Sequence, residues 1–159
     1  MKGDYTVLTI LNSNREVIRM LRFTNISSEE LIDSVVRELS EYRVTALVAE
    51  ENFESTIISL IEKTARQTLV VGFRTTNKSK LEIIEDLLVR FDHKHFKHLK
   101  NDEVIKEFGT FIGVHLKTTY TYRAESGHDD IVMSAALANH CYNEYYNPNK
   151  QCRRKRITK

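Results

Sequence analysis

Hydrophobic and polar residues change their spacing several times along the first third of the chain. Residues 4–11 and 16–23 are rich in β-branched and aromatic side chains, and a short turn of Asn and Ser residues separates them. This pattern predicts two strands joined in a hairpin. Residues 27–42 then place apolar side chains at helical spacing behind Ser and Glu residues, which is typical of a capped amphipathic helix.

Two short and almost wholly apolar segments follow, at residues 44–49 and 68–73. Such segments predict strands that are buried on both faces. Residues 57–66 lie between them with helical spacing, so the two strands are predicted to be parallel and joined by a crossover helix. The order β-β-α-β-α-β predicts an α/β fold whose sheet has a parallel part and an antiparallel edge hairpin.

The second half of the chain is predicted to be more helical, and Pro148 is expected to end its last helix. The patterns predict helices at 77–91, from 101 to about 108, and from about 130 to 146, extended segments at 111–116 and 119–122, and a short edge strand at 93–99.

Composition narrows the class of protein. A length of 159 residues suits one domain, and no apolar segment is long enough to cross a membrane. The two cysteines, Cys141 and Cys152, lack metal-binding spacing and are expected to be reduced thiols. A net charge of +2 argues against a uniformly basic nucleic-acid binder, although residues 148–159 form a basic tail that either binds phosphates or keeps the end soluble.

Two adjacent carboxylates, Asp129 and Asp130, come just before the last helix and follow His128. One aspartate can cap the helix, which is the common role of an acid at this position. The second is then a charge beside an apolar helix, which is costly unless something positive shares the site. A divalent metal ion suits carboxylate oxygens, so this segment predicts part of a metal site.

Glu50 ends the first buried parallel strand, at the edge of the sheet where ligands bind in such folds. A single acid there often marks only the place where the strand meets water, and Glu51 or Asn52 can cap the next helix. With Asp129 and Asp130, however, Glu50 predicts a pair of metal ions for phosphoryl chemistry. For His128 a hydrogen bond to a ligand, a contact with the leaving group and a structural role all remain open.

The late segment also carries a family resemblance. Residues 127–138, with the pattern Gly-His-Asp-Asp-Ile-Val-Met-x-x-Ala-x-Ala, closely resemble the late motif of the nuclease domain in the large terminase subunit of tailed bacteriophages. Further segments similar to that family follow its order over residues 4–146: Asp4-Tyr5-Thr6-Val7, Val48-Ala49-Glu50-Glu51-Asn52, Arg74 to Lys80, Glu107-x-x-x-Phe111 and Tyr122-x-Ala124-x-x-Gly127.

The resemblance implies a ribonuclease H-like mixed sheet with helices on both faces, and an endonuclease that cuts double-stranded DNA concatemers during genome packaging. Two Mg²⁺ or Mn²⁺ ions would be held by carboxylates. By position, Glu50 would be the middle ligand and Asp129 and Asp130 the late ones, with Asp130 favoured. The resemblance further implies catalytic participation of His128, supporting roles for Asp4 and Asn52, and phosphate contacts by Lys78 and Lys80, which a solvated helix start would equally explain.

The same resemblance implies partners and a location. The expected partners are double-stranded DNA, the terminase ATPase domain, the small terminase subunit and the portal, in the cytoplasm of the host cell and away from membranes. The family's first acid lies on a strand before the Asp4 segment, so a truncated or split nuclease domain is expected at residues 1–147, with the basic tail at 148–159. Ser55 also stands where the family usually has glycine.

Two other functions remain open from the sequence. The first is a non-catalytic packaging module with an incomplete metal site that binds DNA or a partner protein. The second is a different ribonuclease H-like enzyme, such as a resolvase or transposase fragment, which would prefer branched DNA.

Overall fold

The computed structural model describes residues 5–51, 55–95, 97, 101–115, 120–124 and 128–146. Their helices and strands follow the predicted order, with bounds that differ from the predicted ones by a few residues at most. The elements are β1 (Thr6–Leu11), β2 (Val17–Phe23), α1 (Ser28–Glu41), β3 (Ala46–Glu50), α2 (Ser55–Thr64), β4 (Leu69–Phe73), α3 (Asn77–Asp92), α4 (Asp102–Thr110), β5 (Phe111–His115), β6 (Tyr120–Ala124) and α5 (Asp130–Tyr145).

The strands form three two-stranded units. β1 and β2 are antiparallel, with an irregularity between Ile10 and Leu11, β3 and β4 are parallel, and β5 and β6 are antiparallel. The parallel crossover predicted for β3 and β4 is therefore confirmed. Within the described strands no ladder joins β1 to β3, so the expected mixed sheet is interrupted between these two strands.

One detail of the strand predictions was wrong. β4 is only partly buried, and Leu69 is 42% exposed, because among the described strands β4 pairs only with β3 and lies at an edge. Of the edge strand predicted at 93–99, the described residues are 93–95 and 97, and Lys97 forms a parallel bridge with Glu16. The other residues of that prediction lie outside the described residues.

Helices lie on both sides of the strands, as predicted, and bury two separate apolar clusters. One cluster joins α1 and α2 to β1, and the other joins α3 and α5 to β3 and β2. The first contains Leu8, Ile10, Leu31, Val35, Leu39, Ile57 and Ile61, and the second contains Val17, Val48, Ile83, Ile84, Leu87, Val132, Met133, Ala135, Ala136, Leu137 and Cys141.

α5 connects the separate strand units. It packs against both β1 and β3, and the fully buried Ala136 allows close approach. The Ser134 hydroxyl donates to the Val7 carbonyl at 3.0 Å and lies 2.8 Å from the Thr9 hydroxyl. None of the helices in the described part of the chain is long and apolar enough to cross a membrane.

Candidate metal centre

The amino-terminal end of α5 is capped by a residue from another helix. The main-chain amides of Ile131 and Val132 donate to the same carboxylate oxygen of Glu107, Oε1, at 2.6 and 3.0 Å. Asp129 occupies the N-cap position, but its side chain makes no capping hydrogen bond. The interpretation of an aspartate as the cap of this helix is therefore wrong, since Glu107 on α4 satisfies these amides.

In the sequence, only its spacing from Phe111 distinguishes Glu107. Its side chain is almost fully buried, and this burial raises the pKa of Glu107, while the two amide hydrogen bonds act in the opposite direction. The neighbouring charge of Asp130 raises the pKa of Glu107 further. The structure therefore adds a third carboxyl group beside the predicted aspartates, in a position where negative charge is already concentrated.

Glu50 lies at the carboxyl end of β3, as the apolar segment predicted. Its Oε1 accepts a hydrogen bond of 2.5 Å from the Thr75 hydroxyl, in the loop after β4. The next residue, Glu51, covers Gly72 so closely that a Cβ atom built there would lie 2.8 Å from the Glu51 Cγ. Of the two adjacent glutamates, only Glu50 lines the cavity of about 520 Å³ that Asp130 also lines.

The residues around Asp130 differ in their contacts. The His128 Nδ1 lies 3.6 Å from an Asp130 carboxylate oxygen, and the His128 ring meets the Tyr5 ring edge-on with centroids 4.5 Å apart. Asp129 turns instead to Lys80, whose Nζ is 2.8 Å from its carboxylate. His128 therefore lies beside one aspartate, and Lys80 forms an ion pair with the other.

The two predicted phosphate-binding lysines occupy different environments. Lys78 is 86% exposed and lies 3.9 Å from Glu82, one helical turn along α3. Lys80 is only 21% exposed, because it reaches Asp129 from the first turn of the same helix. The capping box formed by Thr76 and Ser79 fixes where this helix starts and so sets both positions.

The predicted ligands come together only in part. Among the described residues no three His, Cys, Asp or Glu side chains cluster closely enough to hold a metal ion, so Glu50, Asp129 and Asp130 do not form one three-ligand group. The predicted supporting residues Asp4 and Asn52 lie outside the described residues. Glu50 and Asp130 both line one cavity, and their side chains carry the carboxylate oxygens that a hard cation prefers.

The sequence matches no protein-family model and no curated protein. Among solved structures, the large terminase nuclease from the thermophilic phage G20c is similar with a TM-score of 0.78 and 20% identity, over 91% of this chain and 77% of that one. The chain has the fold of phage terminase nucleases. The ribonuclease H-like architecture implied by the late motif is thereby confirmed.

Two further structures with this terminase-nuclease fold are similar over most of the chain. The large terminase nuclease domain of Thermus phage P74-26 has a TM-score of 0.75 and 20% identity, over 92% of this chain and 76% of that one. The G20c nuclease with bound magnesium has a TM-score of 0.77 and 20% identity, over 87% of this chain and 75% of that one.

Proposed function

We propose that this chain is a metal-dependent endonuclease domain of a viral DNA-packaging terminase large subunit, and that it cuts double-stranded DNA concatemers. The observation that carries the proposal is the capping of α5 by Glu107, because it assigns the helix amides to a residue other than the two aspartates. Asp130 and Glu50 both line one cavity. The terminase-nuclease fold and the magnesium bound by the G20c nuclease give independent support.

Glu50 and Asp130 are the proposed metal ligands, with Asp129 in a secondary position because Lys80 already neutralises it. Divalent ions held there, two Mg²⁺ or Mn²⁺, would supply an activated water and stabilise the attacking and leaving oxygens of the phosphodiester. The protein's own part is to orient the carboxylates, through Thr75 at Glu50 and His128 beside Asp130. Second contacts of this kind fix the geometry of metal ligands.

Lys78 is the proposed contact to the DNA backbone, because its ammonium is exposed at the start of α3. Lys80 can reach a phosphate only after leaving Asp129, and we propose that it exchanges between the two. Asp4 and Asn52 remain proposed supporting residues. The proposed partners are the terminase ATPase domain, the small subunit and the portal, in the host cytoplasm.

The test is nicking of supercoiled plasmid by the 159-residue chain in Mn²⁺ or Mg²⁺. We expect Glu50→Gln and Asp130→Asn each to abolish nicking, since both remove a ligand charge and keep the shape of the side chain. Asp129→Asn should reduce nicking less. Glu62→Gln, at an exposed acid of α2, is the matched control and should cut like the unaltered chain. Full cutting by the Glu50 and Asp130 variants would refute the site.

A non-catalytic packaging module is the second candidate. It is favoured by the lack of a three-ligand cluster among the described side chains. It is also favoured by four cations, Arg15, Arg90, Lys94 and Lys97, around a second pocket of about 300 Å³. Such a module would bind DNA with strong salt dependence, would not cut it at any metal concentration and would show no Mn²⁺ binding by electron paramagnetic resonance. Mn²⁺ binding that is lost in Asp130→Asn would exclude it.

A further inference from the structure

The cavity of about 520 Å³ is a slot between the edges of two strands. Every residue from 5 to 13, which includes β1, lines it, and so does every residue from 43 to 50, which includes β3. Successive side chains of a strand point to opposite faces, so a cavity beside one face would meet only every second residue. Uninterrupted lining on both sides shows that the edges of β1 and β3 bound the slot.

The hydrogen bonds of β3 identify the main-chain groups that face the slot. The Thr45 carbonyl accepts from the Leu69 amide, and the Glu51 amide donates to the Phe73 carbonyl, so these two residues point towards β4. Main-chain groups alternate in direction along a strand. Ala46, Val48 and Glu50 therefore direct their amides and carbonyls into the slot.

The same reasoning applies to β1. The Asn12 amide donates to the Glu16 carbonyl. The main-chain groups of every second residue before Asn12 therefore also point towards β2. The remaining residues, Val7, Thr9 and Leu11, face the slot. The Ser134 hydroxyl on α5 donates a hydrogen bond to the Val7 carbonyl, which agrees with this assignment. Two strand edges thus face each other across the cavity, and each offers alternate donors and acceptors over five or six residues.

The two open faces of the slot define the chemistry of its occupant. Leu31, Val35 and Ile61 from α1 and α2 line one side, and Met133, Leu137 and Cys141 from α5 line the other. A strand placed between them would be covered by apolar side chains on both faces, which suits a continuous apolar segment and not an alternating one. At one mouth, where Glu50 and Asp130 lie, the occupant meets carboxylates.

We propose that this slot binds an apolar β-strand of five or six residues from another polypeptide segment, which pairs with both β1 and β3 and joins them into one sheet. The basic tail at residues 148–159 does not have this chemistry, since half of its residues are Lys or Arg. The slot is defined by strand edges alone, so it stands whether or not the chain cuts DNA. Addition of a strand to an open edge is a common mode of recognition.

Amide hydrogen exchange, followed residue by residue by NMR, tests the open edges in the chain alone. The slot-facing amides of Thr9, Leu11, Ala46 and Glu50 should exchange faster than the sheet-paired amides of their neighbours Leu8, Ile10, Leu47 and Ala49. Equal protection of the two sets would overturn the proposal, because it would mean that the edges are already paired. Protection of the slot-facing set that appears only at high protein concentration would also overturn it, since a second copy would then be the occupant.

A synthetic peptide with a six-residue Val/Ile core and two lysines at each end tests occupancy. We expect saturable binding by fluorescence anisotropy, with protection of the four slot-facing amides. The control peptide carries N-methyl groups at two alternate core residues. It keeps the side chains but loses two donors, and should bind about tenfold more weakly or worse. Equal binding of the two peptides, or protection elsewhere in the chain, would overturn the proposal.

Ala138→Trp places a large side chain in the slot without altering either strand edge, because Ala138 lines the cavity from α5. This variant should fold, as judged by circular dichroism, and should lose peptide binding. Val89→Trp adds the same side chain at a half-exposed position of α3 and should bind the peptide normally. Undiminished binding by a folded Ala138→Trp protein would overturn the proposal. If Ala138→Trp fails to fold, the exchange pattern and the two peptides decide whether the slot binds a strand.

Discussion

Arg15 occupies the left-handed region of backbone conformation, with φ of 61°, which is unfavourable for a side chain of this kind. Its guanidinium donates to the side-chain oxygens of Asn139 and Asn143 at 2.6 and 2.8 Å and lies over the Tyr142 ring at 4.2 Å. Both asparagines in turn donate to Asp86. These contacts fix the turn between β1 and β2 against α5 and α3, so the strained residue serves as an anchor.

The two asparagines have the same partners but differ in burial, since Asn139 is fully buried and Asn143 only partly. Asn139→Ala should lower the free energy of unfolding by about 2–3 kcal/mol, because the fully buried position of its amide is closed to water and nothing replaces the lost hydrogen bonds. Asn143→Ala should cost about 1 kcal/mol, since water can enter the partly exposed position of its amide and take over the hydrogen bonds. Urea unfolding measures both. Equal losses would show that the network is solvated throughout.

At the scale of single elements, α4 matters because it carries the cap of α5. Glu107→Ala should lower the free energy of unfolding by about 1–3 kcal/mol, since two buried amides lose their acceptor. Glu107→Gln should lower the free energy of unfolding clearly less. Both amides donate to one oxygen of Glu107, and the glutamine carboxamide still has one oxygen that can accept both hydrogen bonds. Urea unfolding provides the comparison.

Glu103→Ala is the matched control on α4. Glu103 is exposed and forms a surface ion pair with Arg22 at 3.5 Å. Its substitution should lower the free energy of unfolding by about 0.5 kcal/mol or less, because exposed ion pairs contribute little. A loss as large as that of Glu107→Ala would mean that the charge of α4, and not the cap, stabilises α5.

Local patterns predicted local structure well. A serine cap was predicted for α1, at Ser27 or Ser28, and Ser27 forms it as a capping box with Glu30, because both partners lie within one helical turn. Glu50 lies at the predicted strand end for the same reason, since a change from apolar to acidic residues marks it. The cap of α5 was assigned to the wrong residue, because an aspartate lies at the usual position while the actual acceptor, Glu107, is 24 residues away from the first amide that it binds.

Contacts between distant segments could not be predicted from the sequence. Lys80 and Asp129 are 49 residues apart, and nothing in either local pattern indicates that they pair. Strand periodicity likewise predicts that β1 and β3 exist but does not specify which edges face each other. The structure adds that the edges of these two strands line one cavity.

At the scale of the whole molecule, charge is divided unevenly along the chain. Residues 148–159 carry six Lys or Arg and no acid, so residues 1–147 have a formal charge of −4 although the full chain is at +2. DNA is a dense line of negative charge, and a domain of net negative charge is repelled by it at long range. In the proposed function the tail would therefore supply the net attraction to DNA, and the exposed Lys78 would contribute locally.

Removal of residues 148–159 should therefore weaken binding to double-stranded DNA strongly and flatten its salt dependence. If all six cations contact phosphates, the slope of log K against log salt should fall in magnitude by about 5. Fluorescence anisotropy with a labelled duplex at several salt concentrations measures this slope, and unfolding curves check that the shortened domain is intact. A full-length variant with the six cations changed to Gln should behave like the truncation, since charge and not length is responsible. Unchanged affinity in either protein would assign DNA binding to the folded domain, where the cations around Arg15 and Arg90 are the next residues to substitute.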